Sequence, residues 1–480
     1  MGRKEKFSEL DKSRESKAAI NRREFLAATT GLASATLMAK DVEGVTAPLP
    51  VSSPPPRGRL AAEGGSPVRA TKLAANFPGP LYYDDAERRE LLEVLDGRSP
   101  FRWYGIGPKG KAPNKCNLLE REFAAHQGTK YCVAVTSGTA ALITAVAALG
   151  AGPETEVILP AWTWYSCYDA IIAAGATPVF AEIDESLNID PADIERHITP
   201  RTRIIMAVHI MGEPADMDPI LATARKHHIK VLEDCAQSLG ATYRGRPVGS
   251  MGDCGIYSFQ LCKTISAGEG GALVTNDPNI FERAARFHDL GLLRKPHAEY
   301  LGERPRMGQS VGWQFRMSEY TGAVLRAQLR KLDRIVADFR ERGMRVAEGI
   351  ADLPGIQFRK THDPTGGLRS SVYFRTAGKD MRDRFVAALE AENIPASPIE
   401  GSVILPVEPF IEKKQVLEPR WPSFETAQGK NVSYGAACCP RTIDIWNRYV
   451  GVPMDPKYSD QDVNDIIAAV HKVYPVMMGA

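Results

Sequence analysis

Short apolar segments alternate with helix-like runs from about Phe77 to Leu332, and this alternation restricts the fold more than any other feature. The clearest segments are Glu156-Val-Ile-Leu-Pro, Thr177-Pro-Val-Phe-Ala and Gly271-Ala-Leu-Val-Thr. Short apolar strands separated by helices are typical of a mostly parallel sheet that is covered by helices on both faces. We therefore predict an α/β protein in which residues 77–335 form a large domain of this kind.

A smaller α+β domain is predicted for residues 336–480. Ser371-Val-Tyr-Phe-Arg alternates like a half-buried strand, and residues 379–392 have helical spacing. Ser459 and Asp462 indicate a capped start for a last helix that continues to Val473. The helix-rich stretch 317–350 would connect the two domains.

One lysine follows closely after an apolar strand. The strand Cys254-Gly-Ile-Tyr-Ser-Phe leads into a turn that carries Lys263 and ends in Gly268-Glu-Gly-Gly. Burying an unpaired ammonium is costly, so such a lysine has a lowered pKa and becomes a usable nucleophile toward a carbonyl group. The alternative is an ordinary surface lysine at a strand end.

An acidic residue ends another predicted strand, Val231-Leu-Glu-Asp234, and Gln237 follows three residues later. The carboxyl edge of a parallel sheet faces the crevice in which α/β folds bind ligands. Asp234 would suit a pyridinium nitrogen there, because a carboxylate keeps that nitrogen protonated. The alternative is an aspartate that caps the next turn.

Two further strand ends could contact a cofactor. The strand before Ser137-Gly138-Thr139 gives way to a helix predicted for residues 140–149, and helix N-termini bind anions such as phosphate. An ordinary helix cap is the alternative. Trp162 and Trp164 follow the strand that ends at Pro160; one could stack on a flat ring, and the other is expected in the core.

The order of these motifs resembles that of the DegT/StrS group of sugar aminotransferases, from about Phe77 to about Val473. Further matches are Glu120-Arg-Glu-Phe-Ala-Ala, Val208-His-Ile-Met-Gly and Gly312-Trp-Gln-Phe-Arg-Met. The resemblance implies the fold-type I aminotransferase architecture, pyridoxal 5′-phosphate as cofactor, and a homodimer with shared active sites. It also implies catalysis through an internal aldimine on Lys263.

The same resemblance assigns roles to single residues. Lys263 and Asp234 would be catalytic, and the cofactor-binding set would comprise Gly138, Thr139, Trp164, Asp234, Gln237, Ser258, Lys263 and Gln314. Gln314 stands where the family usually has an asparagine that reaches the phosphate of the neighbouring subunit. The amide is kept and its reach grows by one methylene group.

The predicted activity is transfer of an amino group from glutamate or glutamine to a ketone substrate. We expect this substrate to be a nucleotide-linked keto-sugar or a keto-cyclitol. The alternative from another class is a non-catalytic module that binds the cofactor or a sugar in regulation or envelope assembly. Retention of Lys263 favours the enzyme, because binding alone needs no nucleophile.

Composition agrees with this prediction and decides little between classes of function. The 480 residues carry a formal net charge of +2, which gives no indication of a nucleic-acid partner. The eight cysteines are scattered without metal-ligand spacing, so no metal site is predicted, and several resemble small hydrophobic core residues.

Residues 1–39 resemble a twin-arginine export signal. Arg22-Arg23-Glu-Phe-Leu precedes a weakly apolar run that is too short and too polar for a permanent membrane span. We expect export from the cytoplasm, and a cytoplasmic protein with a basic tail is the alternative. Residues 40–76, rich in Pro, Gly and Ser, are predicted to be a flexible linker.

Overall fold

The computed structural model describes residues 58–74, 79, 82–103, 114–302, 305–399, 401–418 and 420–479. Its strands are β1 (Tyr131–Val135), β2 (Glu156–Pro160), β3 (Trp162–Thr163), β4 (Thr177–Ala181), β5 (Thr202–Val208), β6 (Lys230–Asp234), β7 (Thr242–Tyr243), β8 (Arg246–Pro247), β9 (Cys254–Ser258), β10 (Gly271–Thr275), β11 (Ser371–Arg375), β12 (Ser397–Pro398), β13 (Val403–Ile404) and β14 (Tyr449–Pro453).

The α-helices of the described residues are α1 (Asp85–Asp96), α2 (Lys115–His126), α3 (Gly138–Ala148), α4 (Tyr165–Ala173), α5 (Pro191–His197), α6 (Met217–His227), α7 (Pro278–Phe287), α8 (Lys295–Leu301), α9 (Glu319–Leu329), α10 (Leu332–Gly349), α11 (Lys379–Ala391), α12 (Pro409–Glu412), α13 (Pro422–Glu425), α14 (Ala427–Asn431), α15 (Pro440–Trp446) and α16 (Asp460–Met478). Short 3₁₀ turns occupy Ala61–Glu63, Ile210–Gly212, Leu405–Val407 and Ala436–Cys438.

The central sheet of the described residues has seven strands in the order β1-β10-β9-β6-β5-β2-β4. Strands β9, β6, β5, β2 and β4 are parallel, and β10 runs antiparallel to both of its neighbours, β1 and β9. The predicted mostly parallel sheet is thus confirmed. Because β10 is inserted in reverse, β1 points the same way as β9, and their carboxyl ends lie at one edge.

Helices cover both faces of this sheet, as side-chain alternation along the strands requires. In β1, Cys132 and Ala134 pack into one apolar cluster with α2 and α10, whereas Val133 and Val135 pack into a second cluster with α3 and α7. Residues of β2, β5 and β6 form a third cluster with α6. The predicted fold class, fold-type I with a sheet between two helical layers, follows from this packing.

The C-terminal part contains a second, antiparallel sheet in the order β11-β14-β12. Helix α11 packs on this sheet, α16 packs on α11, and a capping box between Ser459 and Asp462 starts α16. The predicted strand at Ser371 and the predicted helix cap are confirmed. The described residues cluster as one compact unit, and the boundary placed at residue 335 stays a prediction.

Residues 58–74 differ from the predicted flexible linker. Leu60 and Leu73 are buried in the core, and the side chain of Glu392 accepts hydrogen bonds from the Ala61 and Val68 N–H groups, both at 2.9 Å. Two leucines in a Pro- and Gly-rich stretch anchor the chain here, which composition alone does not reveal.

The predicted export signal, residues 1–39, lies outside the described residues. Within the described part of the chain, none of the helices is both long and apolar enough to cross a bilayer.

Candidate active site

The carboxyl ends of three strands bring the predicted site residues to one edge of the sheet. Val135 lies opposite Gly271, and Gly271 lies opposite Ser258. On the next strand, Asp234 pairs with Ile256, two residues before Ser258. The segments that follow β1, β6 and β9 therefore meet around one crevice.

One side of the crevice, formed by Gly138, Thr139 and Ser258 and called the anion corner below, can bind an anion. Helix α3 begins at Gly138, and the Ser137 side chain caps it by accepting the Ala140 N–H at 3.0 Å. The N–H groups of Gly138 and Thr139 in the first turn have no acceptor within the helix. The buried Ser258 lies against them, because a Cβ added to Gly138 would come within 3.0 Å of the Ser258 Oγ. Hydroxyl and N–H donors at a helix N-terminus suit a phosphate.

Lys263 lies in the turn that connects β9 to β10. Hydrogen bonds from the Lys263 N–H to the Gln260 carbonyl (2.9 Å) and from the Leu261 N–H to the Gly268 carbonyl (3.1 Å) fix this turn. Burial lowers the pKa of Lys263, and the carboxylate of Asp234 opposes that shift. A half-buried amine with a lowered pKa is unprotonated more often than a free lysine, which makes it a better nucleophile and a better base.

Asp234 is buried, with 4% of its surface exposed. Its Oδ1 accepts the Ala236 N–H at 2.9 Å, and its Oδ2 accepts the Cys167 thiol at 3.1 Å. Burial raises the pKa of Asp234, while both hydrogen bonds and the nearby Lys263 favour the carboxylate. A cation held against Asp234 would add to the groups that keep it ionised.

The two tryptophans take different places. Trp162 is fully buried in the core, whereas Trp164 is 49% exposed just before α4. Two residues later, the Ser166 Oγ lies 2.7 Å from the Thr139 Oγ1, so the Trp164 segment contacts the anion corner. Trp164 is therefore the tryptophan that can cover a ring.

Gln237 is engaged with protein groups. Its Oε1 accepts the Met211 N–H at 2.9 Å, and its Nε2 donates to the Ser402 Oγ at 3.1 Å. These bonds attach the segment that begins at Gly401 to the crevice, where β13 also pairs with β3. Gln237 thus borders the site, and its predicted contact to a ring hydroxyl stays a prediction.

In the segment of Gln314, the Phe315 carbonyl accepts the Thr136 N–H at 3.0 Å, and Gln314 itself is exposed. Its backbone bridges to Asp289, and the neighbouring Val311 and Trp313 expose 91% and 51% of their surfaces. The structure brings the remaining predicted residues together, and their roles stay predictions.

Cys167 and Ser166 are site neighbours that the sequence analysis does not single out. Cys167 contacts Asp234 from the first turn of α4, four residues after Thr163. The sequence feature that could have indicated Cys167 is its position in a helix that starts directly after Trp164.

A solved structure defines the class of protein. The crystal structure of 3-amino-5-hydroxybenzoic acid synthase aligns with a TM-score of 0.66 at 29% sequence identity, covering 83% of this chain and 100% of that one. The fold is therefore that of the fold-type I aminotransferases. The sequence profile of the DegT/DnrJ/EryC1/StrS aminotransferase family matches residues 109–471, so the chain belongs to this family and is an aminotransferase. This confirms the predicted family and the predicted enzyme class.

Two curated relatives cover most of the chain. The spore coat polysaccharide biosynthesis protein SpsC of Bacillus subtilis is 33% identical, over 81% of this chain and 94% of its own length. The L-glutamine:2-deoxy-scyllo-inosose aminotransferase of Micromonospora echinospora is also 33% identical, over 86% of this chain and 97% of its own length. Family membership favours the enzyme over the alternative of a non-catalytic binding module.

Proposed function

We propose that this aminotransferase uses pyridoxal phosphate to move an amino group from glutamate or glutamine onto a keto-sugar or keto-cyclitol. The observation that carries the proposal is Lys263, whose pKa is lowered at the strand edge beside the buried Asp234. A half-buried amine within electrostatic reach of a buried carboxylate favours this role over the alternative of a surface lysine.

The residues present fit the cofactor. Asp234 and Ser258 lie on neighbouring strands and are offset by two residues, or about 7 Å along the strand direction. This offset suits a pyridine ring whose nitrogen meets the acid and whose phosphate arm reaches the hydroxyl. A Cβ on residue 138 would intrude between helix α3 and Ser258, so the glycine keeps the anion corner open.

When bound, pyridoxal phosphate supplies a carbonyl group that takes up the amino group and a ring that withdraws electrons. The chain contributes the other parts. Gly138, Thr139 and Ser258 would bind the phosphate, Asp234 would hold a proton on the ring nitrogen, and Trp164 would cover the ring and exclude water. Lys263 Nζ would accept and return the proton at the substrate carbon, because its lowered pKa leaves more of the amine unprotonated.

The substrate class is inferred from the relatives. The name of one relative gives L-glutamine and a deoxy-scyllo-inosose as its substrates, and another relative is GDP-perosamine synthase of Caulobacter vibrioides. A keto-cyclitol and a nucleotide-linked keto-sugar therefore both remain candidates. Their shared chemistry is a ketone on a polyhydroxylated ring.

The quaternary structure is part of the proposal. Apolar side chains of Leu290, Val311 and Trp313 are exposed around Gln314, and an apolar surface of this kind suits contact with another protein surface. We infer a homodimer in which Gln314 of one subunit reaches the phosphate in the other.

A labelling experiment tests the role of Lys263. Purified protein is incubated with pyridoxal phosphate, reduced with borohydride and digested, and the modified peptide is identified by mass spectrometry. We expect the label on Lys263 in the wild type and in Lys295→Ala, a control lysine whose side chain is 85% exposed. Label on other lysines alone would contradict the assignment.

An acceptor screen tests the reaction. Free keto-cyclitols and nucleotide-linked keto-sugars are each offered with L-glutamine or L-glutamate, and aminated products are detected by mass spectrometry. Lys263→Ala should lose several orders of magnitude in rate, because the nucleophile is removed. Turnover by Lys263→Ala near the wild-type rate would end the proposal.

A further inference from the structure

Three buried polar side chains form a hydrogen-bonded chain that ends on Asp234. The Thr163 Oγ1 lies 3.2 Å from the Cys167 Sγ, and that sulfur lies 3.1 Å from the Asp234 Oδ2. Thr163 is completely buried and Cys167 is 1% exposed. Water does not compete for these groups, so the contact between thiol and carboxylate is persistent.

The direction of the hydrogen bonds follows from donor chemistry. An ionised carboxylate only accepts, so the Cys167 thiol donates to Asp234, and the hydroxyl of Thr163 then donates to the sulfur. Burial raises the pKa of the Cys167 thiol well above its ordinary value, and the negative charge of Asp234 adds to this effect. The thiol therefore keeps its hydrogen across the range in which enzymes work.

The position of Cys167 connects two parts of the site. Thr163 ends β3 and Cys167 lies in the first turn of α4, while Trp164 stands between them. One short segment thus carries both the exposed aromatic side chain and the donor to Asp234. The second donor, the Ala236 N–H, holds the other carboxylate oxygen at 2.9 Å. With one donor on each oxygen, the plane of the carboxylate is fixed.

We propose that Cys167 is a positioning residue that orients the Asp234 carboxylate toward the ring nitrogen of the cofactor. The hydrogen bond is a property of the protein alone, whereas its effect on the ring nitrogen rests on the proposed function. A thiol is a weak donor, so it orients the carboxylate while leaving most of its basicity for the ring nitrogen.

Two substitutions separate this role from simple packing. Cys167→Ser keeps a donor and loses some apolar volume, whereas Cys167→Val fills the apolar site and removes the donor. If Cys167 only packs, valine should be tolerated better than serine, because serine leaves apolar volume unfilled and buries a more polar group. If Cys167 positions Asp234, Cys167→Ser should bind the cofactor more tightly than Cys167→Val.

The first measurement needs no cofactor. The infrared S–H stretching band of Cys167 is identified in full-length, cofactor-free protein as the band lost in Cys167→Ala. Hydrogen bonding to a carboxylate lowers the S–H frequency, so the band should move to higher frequency in Asp234→Asn. The band of Cys254, which is equally buried in β9, should stay in place. An unshifted Cys167 band would overturn the hydrogen bond.

The second measurement follows the ring nitrogen. Pyridoxal phosphate labelled with ¹⁵N at the ring is bound to the wild type, Cys167→Ser and Cys167→Val, and the dissociation constant and the ¹⁵N chemical shift are recorded. We expect Cys167→Ser to resemble the wild type in shift. Cys167→Val should bind about tenfold more weakly, which corresponds to about 1.4 kcal/mol, with its shift moved toward the unprotonated ring. The thermal unfolding of each cofactor-free variant reports packing separately.

The outcomes distinguish the role of Cys167 from the proposed function of the protein. If Cys167→Val binds and protonates the ring as Cys167→Ser does, Cys167 is a packing residue and the inference is wrong. If the wild type fails to bind pyridoxal phosphate, the proposed function fails, and the role toward the ring nitrogen fails with it. The infrared result on the thiol stands independently of that outcome.

Discussion

Gly138 lies so close to Ser258 that a Cβ atom on residue 138 would come within 2.7 Å of the Ser258 Cβ. This contact joins the start of α3 to the end of β9 at the corner where we place the phosphate. We predict that Gly138→Ala weakens pyridoxal phosphate binding at least tenfold, because either the helix or Ser258 must move. Equilibrium dialysis against the cofactor measures the effect.

The matched control for this substitution is Gly378→Ala. Gly378 has an extended backbone, and a Cβ there would meet nothing within 4 Å. The control should bind the cofactor like the wild type. If Gly138→Ala binds the cofactor as tightly as the wild type does, the start of α3 accommodates a Cβ atom and does not contact a phosphate closely.

For Asp234, we predict that Asp234→Asn retains the fold and slows transamination by at least two orders of magnitude. Without the carboxylate the ring nitrogen loses its proton, and the ring withdraws electrons less well. Asp234→Glu should be less damaged if charge matters more than reach. Single-turnover kinetics with an amino donor measure the rate, and Asp333→Asn, at a carboxylate whose side chain is 91% exposed, is the control. Full activity in Asp234→Asn would leave Asp234 as a turn cap.

The strand ends were predictable because they depend on local sequence. The apolar segments before Asp234 and Lys263 end where the structure ends β6 and β9 or shortly after, and the edge of a parallel sheet then brings both together. The acidic and basic residues of the site could therefore be placed from the chain alone.

The contacts across the site could not be predicted in this way. Cys167 and Asp234 are 67 residues apart, and nothing in either segment specifies that the thiol meets the carboxylate. The same holds for Leu60 and Leu73, whose burial depends on a surface formed by the C-terminal part of the chain. Such contacts depend on tertiary packing, which cannot be inferred from the periodicity of a single segment.

Stability should depend on the pH through Glu213. Glu213 is 5% exposed and borders a cavity of about 30 Å³. Its Oε1 has no hydrogen-bond partner within the described residues. Burial raises the pKa of Glu213 to about 7, although Arg359 and Arg369 oppose the shift.

Between the ordinary pKa of 4.5 and a pH of about 7, Glu213 is therefore protonated in the folded protein and ionised in the unfolded chain. This contribution to stability is complete below the ordinary pKa of 4.5 and is lost as the pH rises through about 7. The loss amounts to roughly 3 kcal/mol at about 1.4 kcal/mol per pKa unit. Glu213→Gln cannot ionise, so its unfolding free energy should fall less between pH 5 and pH 8. Parallel urea titrations that give the same pH dependence for both proteins would contradict the prediction.

The proposed dimer predicts complementation between two defective chains. Lys263→Ala lacks the nucleophile, and Gln314→Ala lacks the amide that would cross to the other subunit. If the two residues act in the same site from different subunits, each mixed dimer contains one intact site, so an equimolar mixture regains about one quarter of the sites. Activity after subunit exchange is compared with the sum of the separate variants. No gain in a mixture whose exchange has been verified would place both residues in one subunit's site.

The last prediction concerns the amino-terminal segment, which we propose directs export through the twin-arginine pathway. In a bacterial host with this pathway, the full chain should be found outside the cytoplasm and shortened. Changing Arg22 and Arg23 to lysine should retain it in the cytoplasm, because the receptor reads the guanidinium pair and not positive charge alone. Changing Arg3 and Arg14 to lysine is the matched control, since it leaves the pair intact, and this variant should be exported. Cell fractionation followed by mass spectrometry of the amino terminus gives the location and the cleavage. An uncleaved cytoplasmic protein in all three cases would leave the segment as a basic tail.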